Sequence, residues 1–176
     1  SPDTHILTEK TTYWMHALTS VHWTTTSRRE RMRIAKVRKV KTPTRGTSKS
    51  AGLDFYVPDG FDRVILTVGE KVFIPSGIKA ELPEGYALIA FNKSGVALKK
   101  SLFVGACVVD EDYQGEIHMH VVNVGDKTTT ISPGEKLVQL VLLPVLYDTI
   151  EVVEESELFL RATPRGAGGF GSTGLF

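Results

Sequence analysis

Short apolar runs separated by turn signals dominate the chain from residue 51 onward. The runs RVILTV at 63–68, KVFIPSGIKAEL at 71–82 and GEIHMHVVNVG at 115–125 are examples. In the third run apolar and polar positions alternate for most of its length, which predicts a strand with one buried face. Pro75 and Gly77 predict a bend within the second run. Turn signals recur at intervals of about 8–12 residues, which is typical of an all-β protein.

Further strands are predicted at both ends of this region. MRIAKVRKVK at 32–41 has the pattern of a first strand, and TIEVVEE at 149–155 that of a last one. PGEKLVQLVLLPV at 133–145 predicts a turn followed by a buried strand. The one helix expected is short and covers SGVALKK at 94–100, with Ser94 as its N-cap.

These patterns divide the chain into three parts. Residues 1–31 are rich in Thr and show no sustained period, so we expect an extension of unknown role. Residues 32–160 are expected to form the β-barrel. Residues 161–176 contain RGAGGFGSTG, a glycine-rich segment whose backbone has a large entropy to lose on ordering.

Composition narrows the class of protein. The net charge is +1, and the single cysteine excludes an internal disulfide and a cysteine-based zinc cluster. No apolar run reaches the roughly 18–20 residues that a membrane-spanning helix needs. We therefore expect a soluble intracellular protein, whose compartment the sequence leaves open.

Charge is concentrated in one stretch. Residues 28–49 hold ten Lys and Arg side chains against Glu30 alone. A nucleic-acid-binding arm is one interpretation. A solvated strand near a subunit edge is favoured instead, because no aromatic residue stands among the charges to stack on bases.

Three acidic side chains in succession, Asp110, Glu111 and Asp112, stand in an apolar context just before Tyr113. In a strand, the first and third would share one face and the second would lie on the other. Burying such charges is unfavourable unless they bind a metal or act as a base. A solvated hairpin end remains an alternative.

Four other segments carry candidate chemistry, each weak when taken alone. Asp54 enters a strand in SAGLDFY, and Lys93 and Ser94 precede a helix start in NKSG, where free N–H groups attract phosphate. Gln139 lies in an apolar strand and needs a hydrogen-bond partner, such as a phosphate oxygen or water. The glycine-rich segment at 165–174 combines a cation, an aromatic ring and two hydroxyl groups.

These five segments, in this order and spacing, resemble the trimeric dUTP pyrophosphatases (dUTPases) over roughly residues 33–174. The most specific parts are VVDEDYQGE and the glycine-rich segment. The resemblance implies a distorted β jelly-roll subunit in a homotrimer whose active sites are shared between subunits. It also implies hydrolysis of dUTP to dUMP and pyrophosphate, with Mg²⁺ held on the triphosphate.

The resemblance also implies roles for individual residues. Asp110 matches the general base that activates water for attack on the α-phosphorus, and Tyr113 matches the ring under the deoxyribose that leaves no room for a 2′-hydroxyl. Asp54 matches an acid that acts on Mg²⁺ through its waters. The implied uracil slot comprises Ala106, Cys107, Val108, Val109 and His118. The implied phosphate contacts are Lys93, Ser94, Gly95 and Gln139, and the implied closing arm supplies Arg165, Phe170, Gly171, Ser172 and Thr173.

Two positions depart from the family pattern, and two other functions stay open. Lys93 stands where arginine is usual and loses its bidentate fork, and Cys107 stands where glycine is common. A dCTP deaminase-type relative would share the fold but not the glycine-rich arm. A dUTP-binding regulatory or moonlighting protein would keep the site and use another surface for a partner.

Overall fold

The computed structural model describes residues 31–169. The chain divides into two compact units, Ser1–Val145 and Leu146–Phe176. Along the described residues no helix is long and apolar enough to cross a membrane. The elements are β1 (Arg33–Lys36), β2 (Leu53–Tyr56), β3 (Val64–Leu66), β4 (Lys71–Pro75), β5 (Ile78–Glu81), β6 (Tyr86–Phe91), α1 (Ser94–Lys100), β7 (Leu102–Val104), β8 (Val108–Val109), β9 (His118–Asn123), β10 (Thr129–Ile131), β11 (Lys136–Pro144) and α2 (Glu155–Leu158).

Two antiparallel sheets frame the first unit. One has the strand order β2-β11-β6-β8 and the other the order β4-β9-β7, and two-stranded pairs β1-β5 and β10-β3 complete it. Strand β11 lies in the middle, paired with β2 on one side and β6 on the other. The all-β prediction is confirmed, and the core is formed by apolar side chains from both sheets, among them Phe55, Ile74, Leu88, Met119 and Leu140.

The alternation predicted for residues 115–125 is present in β9. Met119, Val121 and Asn123 are buried, while the residues between them are half-buried on the opposite face. That opposite face carries His118 and His120, so the strand period places both histidines side by side. The polar Asn123 is tolerated inside because its amide donates hydrogen bonds to three backbone carbonyls.

The bend predicted near Pro75 and Gly77 separates β4 from β5. Gly77 has φ +74°, and a Cβ there would lie 2.8 Å from a methyl group of Val40. Both the left-handed backbone and the close approach of that side chain require glycine. The bend turns the chain toward β1, whose register with β5 begins at Lys36 opposite Ile78.

Helix α1 begins one residue earlier than a cap at Ser94 would require. The N-cap is Lys93, with extended φ and ψ and no side-chain cap, and Ser94 is the first helical residue. The N-cap prediction for Ser94 was therefore wrong. The helix ends at Lys100. The C-cap Ser101 has a left-handed φ of 50°, and its N–H donates to the carbonyl of Ala97 at 3.1 Å.

The second unit contains the short helix α2 and no strand among its described residues. The strand predicted at 149–155 was therefore wrong. An alternating segment forms a strand only when another strand supplies hydrogen bonds, and no described strand does so here. Four apolar side chains of this unit are more than nine-tenths exposed: Leu146, Ile150, Val152 and Leu160.

Arg165 lies in a turn of this second unit. Its carbonyl accepts a 2.9 Å hydrogen bond from Gly168 N–H, and the intervening Gly166 has φ +49°. The side chain of Arg165 is exposed. The predictions for Phe170, Gly171, Ser172 and Thr173, and those for residues 1–30, lie outside the described residues.

The basic stretch is partly neutralised by its neighbours. Arg33 pairs with Glu81 at 2.5 Å and Lys39 with Asp59 at 3.5 Å. Arg38 pairs with Glu116 at 2.7 Å. Strand β1 itself is exposed along its whole length. These pairs reduce the charge available to a nucleic acid, which leaves the edge-strand interpretation favoured.

Candidate functional site

A cavity of 150 Å³ opens between the β6–β8 edge of one sheet and the β4–β9 edge of the other. This is smaller than the roughly 300–1,000 Å³ of a cleft for a drug-sized ligand, so it suits a single ring better than a whole nucleotide. Seven residues predicted from sequence line it together: Ala106, Cys107, Val108, Val109, Asp110, Tyr113 and His118. Its remaining walls are the apolar and aromatic side chains of Phe73, Ala90, Ile117 and Leu140.

Backbone and side-chain hydrogen bonds hold the loop between β7 and β8 that forms one wall. Ala90 N–H donates to the carbonyl of Cys107 at 2.7 Å. Gly105 N–H donates to the carbonyl of His120 at 3.0 Å, and Ala106 N–H donates to Nδ1 of the same histidine at 2.9 Å. The loop is thus fixed on the β6 side and on the β9 side, which presents a defined backbone edge to the cavity.

The acidic segment is a turn rather than a strand. Asp110 follows β8, residues 111 and 112 form the turn, and Tyr113 N–H donates to the carbonyl of Asp110 at 3.2 Å. The prediction that Asp110 and Asp112 share a strand face was therefore wrong. Asp110 is exposed and lies at the mouth of the cavity, whereas Glu111 and Asp112 line a separate groove beside β1 and β5.

Tyr113 is held over the turn by its own hydroxyl group. The hydroxyl donates to the carbonyl of Glu116 at 2.9 Å, and the ring occupies the space that a Cβ at Gly115 would fill. The side chain is 43% exposed, so one face of the ring remains available beside the cavity. Gly115 is required by this close approach, which explains the glycine after Gln114 in physical terms.

Glu116 anchors the end of this turn and was not singled out from sequence. Its carboxylate accepts two hydrogen bonds from Arg38, at 2.7 and 3.1 Å, and one from Gly77 N–H at 2.7 Å. The hydrogen bond from Arg38 lowers the pKa of Glu116 below its usual value, against an opposing effect of burial. Arg38 lies 78 residues earlier in the chain, so no local pattern could have identified the pair.

The predicted phosphate-binding residues gather at a second place, around β11. Asp54 is only 5% exposed, and each of its carboxylate oxygens accepts a hydrogen bond from a lysine, Lys93 on Oδ1 and Lys136 on Oδ2. Burial alone would raise the pKa of Asp54, but these two lysines outweigh it and lower the pKa. The carboxylate is therefore ionised, and Lys136 is a member of the site that sequence reasoning missed.

Gln139 lies beside this cluster, opposite Asp54 in the β11–β2 register. Its amide donates to the carbonyl of Asn92 at 2.9 Å, which satisfies part of the partner requirement without a phosphate. A Cβ at Gly52 would lie 2.5 Å from Oε1 of Gln139, so that glycine leaves room for the amide. The segments containing Asp54, Lys93 and Gln139 are thus adjacent in the structure.

The donor set bears on where a metal ion would bind. Within residues 31–169 no group of three His, Cys, Asp or Glu side chains is placed to hold a metal. Both oxygens of Asp54 already accept hydrogen bonds from lysines. This set fits a metal carried mainly by a ligand's phosphates, since Mg²⁺ commonly binds proteins through few carboxylates and several waters.

Acid should destabilise the folded chain through Asp54 and Glu116. Both groups have a lowered pKa in the folded state, so their contribution is complete above the unfolded values of about 3.9 and 4.3 and is lost as pH falls through the lower folded values. Below about pH 4 we expect the free energy of unfolding to decrease, and the midpoint temperature of thermal unfolding to fall by about 2–4 °C for each kcal/mol of that decrease.

The matched pair for this measurement is Asp54→Asn and Asp59→Asn. Asp54→Asn removes a buried ion pair, so the midpoint temperature of unfolding should fall less steeply at acid pH than in wild type. Asp59→Asn removes only a surface ion pair, so the acid dependence of the midpoint should stay as in wild type. Identical acid limbs in wild type and Asp54→Asn would contradict the assignment.

Comparisons with known proteins agree with this geometry. A family profile described as dUTPase matches residues 38–174. A deoxyuridine 5′-triphosphate nucleotidohydrolase of Hydrogenobaculum sp. is 43% identical over 135 residues, covering 76% of this chain and 90% of the relative. The protein of the same name from Chlamydia pneumoniae is 45% identical over 113 residues, covering 63% of this chain and 76% of the relative.

Solved structures show the same fold. The Staphylococcus bacteriophage 80alpha dUTPase with dUPNHPP superposes with a TM-score of 0.73 at 25% identity, covering 82% of this chain and 99% of that one. A mutant dUTPase from phage phi11 of S. aureus, described as revealing the coordination of a structural Mg(II) ion, has a TM-score of 0.65 at 23% identity, covering 73% of this chain and 99% of that one. The matching profile and the similar relatives span the motifs that build the cavity and the lysine cluster. The chain therefore belongs to the dUTPase family.

Proposed function

We propose that the chain hydrolyses dUTP to dUMP and pyrophosphate by attack of a water molecule on the α-phosphorus. The observation that carries this proposal is the convergence on one ring-sized cavity of seven residues that sequence alone matched to the family's base, deoxyribose ring and uracil slot. The dCTP deaminase alternative has no observation of this kind in its favour. The regulatory alternative would keep the same cavity, and turnover of dUTP separates it from the enzyme.

The cavity accounts for selection of uracil. Its loop wall is backbone held in place at Gly105, Ala106 and Cys107, so main-chain N–H and C=O groups can read the edge of a pyrimidine. A backbone carbonyl can accept a hydrogen bond from N3–H of uracil. Cytosine has no hydrogen at N3, so its binding would leave that carbonyl buried without a donor. The small volume leaves little space for the 5-methyl group of thymine.

Asp110 is positioned to act as the general base. It lies at the mouth of the cavity with an exposed carboxylate, where a water could stand between it and the α-phosphorus of a nucleotide whose base occupies the cavity. The carboxylate takes the proton, the water oxygen bonds to the α-phosphorus, and the bond to the α–β bridging oxygen breaks. Pyrophosphate carries away the electron pair.

Charge on the polyphosphate is matched by the lysine cluster. Lys93 and Lys136 surround Asp54, so the cluster carries net positive charge, and Ser94 and Gly95 begin the adjacent helix. Asp54 is positioned to orient Lys93 toward the phosphates in place of the arginine usual in the family. Mg²⁺ bound to the triphosphate would neutralise part of the negative charge of the phosphates. Asp54 would act on this Mg²⁺ only indirectly, through the water molecules bound to the metal.

We propose a homotrimer whose sites are shared between subunits. The segment 146–160 carries five acidic and no basic side chains, together with exposed apolar ones, and it has the alternation of a strand without a partner. Strand β1 is an exposed basic edge. These two surfaces are complementary between copies, and light scattering should give three times 19.4 kDa. A monomeric mass would contradict the assembly.

The proposed domain organisation follows from the same site. Residues 1–31 are an extension of unknown role, 32–160 form the barrel, and 161–176 form an arm that closes an active site. In this arm Arg165 holds the terminal phosphate, Phe170 stacks on uracil, and Gly171, Ser172 and Thr173 contact phosphate oxygens. Binding to the whole substrate supplies the free energy that orders such an arm.

One assay tests the function. Pyrophosphate release is measured with dUTP, dCTP, dTTP and UTP, with and without Mg²⁺, and ammonia release is measured alongside. We expect pyrophosphate from dUTP with Mg²⁺ and little from the other three nucleotides. Ammonia from dCTP would favour the deaminase alternative, and tight binding of dUTP without turnover would favour the regulatory one.

Discrimination against ribonucleotides should depend on the ring of Tyr113. Replacing Tyr113 by Ala opens space for a 2′-hydroxyl, so the ratio of kcat/KM for dUTP over UTP should fall by about tenfold or more. The Tyr113→Phe variant keeps the ring and loses only the hydrogen bond to Glu116, so its ratio should stay within about threefold of wild type. An unchanged ratio in Tyr113→Ala would remove this role.

A further inference from the structure

We propose that His120 is a positioning residue for the pyrimidine cavity. The ring does not line the cavity. It acts through Ala106, whose N–H it accepts at Nδ1, and so holds the loop that forms the cavity wall. The inference rests on the proposed function only in naming the nucleotide.

His120 holds two successive amides of this loop. Its main-chain carbonyl accepts from Gly105 N–H at 3.0 Å, and its Nδ1 accepts from Ala106 N–H at 2.9 Å. A Cβ at Gly105 would overlap the imidazole ring at Nδ1, so the loop backbone lies directly against the ring. The next residues along the chain, Ala106 and Cys107, line the cavity.

The donor fixes the protonation state of the ring. Because a backbone N–H can only donate, Nδ1 of His120 must be the unprotonated nitrogen, and the neutral ring carries its proton on Nε2. The ring can accept from Ala106 only in this tautomer, because a protonated Nδ1 would set two N–H groups against each other.

An aromatic contact holds the ring from the other side. Phe73 of β4 meets the His120 ring edge-on, with centroids 5.8 Å apart, and stacks on His118 at 4.7 Å. Three titratable groups lie on the elements that pack against the His120 ring. They are Lys71, which is on the same face of β4 as Phe73, His118 on β9, and Cys107 in the loop. Strand β7 carries no titratable group. His118 differs in lining the cavity itself, with Nδ1 2.8 Å from the carbonyl of Glu116.

Two amide substitutions separate positioning from general packing. In His120→Asn, Oδ1 takes the place of Nδ1 and accepts from Ala106 N–H without titrating. In His120→Gln, the same amide group is one methylene too long to reach that position. Binding of the non-hydrolysable analogue α,β-imido-dUTP and the kinetics of dUTP hydrolysis are measured for both variants and wild type at about pH 8.

At about pH 8 we expect the Asn variant to bind the analogue within about threefold of wild type and the Gln variant to bind at least about tenfold more weakly. The loss should appear in KM rather than in kcat.

Hydrogen exchange at the Ala106 amide supplies a readout that needs no nucleotide. Exchange should be slow in wild type and His120→Asn at about pH 8 and faster in His120→Gln, once intrinsic rates are corrected for pH. Equal protection of this amide in the two variants, or equal affinity of the two variants for the analogue, would overturn the proposal. A wild-type protein that does not hydrolyse dUTP would defeat the proposed function and leave the exchange result to decide the role of His120.

Discussion

Asp110→Asn should abolish turnover of dUTP while leaving its binding nearly intact. Asparagine keeps the shape of the side chain at the mouth of the cavity but cannot take a proton from water, so kcat should fall by about 10³-fold or more. In the proposed mechanism the side chain acts on water rather than on the pyrimidine, so the dissociation constant of α,β-imido-dUTP should stay within about threefold of wild type. Single-turnover kinetics and titration calorimetry measure the two quantities.

The matched control for this variant is Asp112→Asn. Asp112 lies two residues away on the same turn and lines a different groove, so removing its charge should change kcat by no more than about threefold. Near-normal turnover in Asp110→Asn would refute the base assignment. An equal loss in both variants would mean that the charge of the turn, rather than proton transfer at Asp110, supports the reaction.

Deleting residues 165–176 should collapse activity and leave a folded protein. Among the described residues the buried core extends no further than Leu140, so residues 165–169 of the deleted segment contribute no core side chain. Loss of the phosphate contacts and of the closure that excludes water should lower kcat/KM by about 10³-fold. Circular dichroism tests the fold, light scattering tests whether the trimer persists, and dUTP turnover tests the activity. An unfolded product would mean that the segment is structural.

Substitution of Phe170 separates the contribution of ring stacking from that of the phosphate contacts made by the arm. Stacking of an aromatic ring on a base contributes about 1–3 kcal/mol, so Phe170→Ala should lower kcat/KM by about 10–100-fold. Leu175→Ala, beyond the matched motif, is the control and should remain within about threefold of wild type. No difference between the two variants would remove the stacking role while leaving the deletion result to stand on the phosphate contacts.

Residues whose role depends on local pattern were predicted well from sequence. The alternation in β9 follows from the period of a strand, and the bend at Gly77 follows from a backbone that only glycine adopts readily. The residues of the cavity wall were found through a resemblance carried by short contiguous motifs. Those motifs are local in sequence because one hairpin supplies most of the wall.

Residues whose role depends on a distant partner were not predicted. Strand formation at 149–155 requires a second strand, which the alternation of apolar positions does not provide. The turn at Asp110 depends on Glu116, which Arg38 and Gly77 hold from 78 and 39 residues away. The two lysines on Asp54 likewise come from different parts of the chain.

The amino-acid sequence by itself determined the strand periods, the glycine-dependent bend and which side chains could carry the chemistry, because these depend on neighbours a few residues apart. Tertiary structure alone decided that Lys93 and Lys136 share a buried carboxylate and that His120 supports the cavity loop. The reason is that hydrogen bonds and ion pairs act over a few ångströms, and only folding brings residues distant in sequence that close.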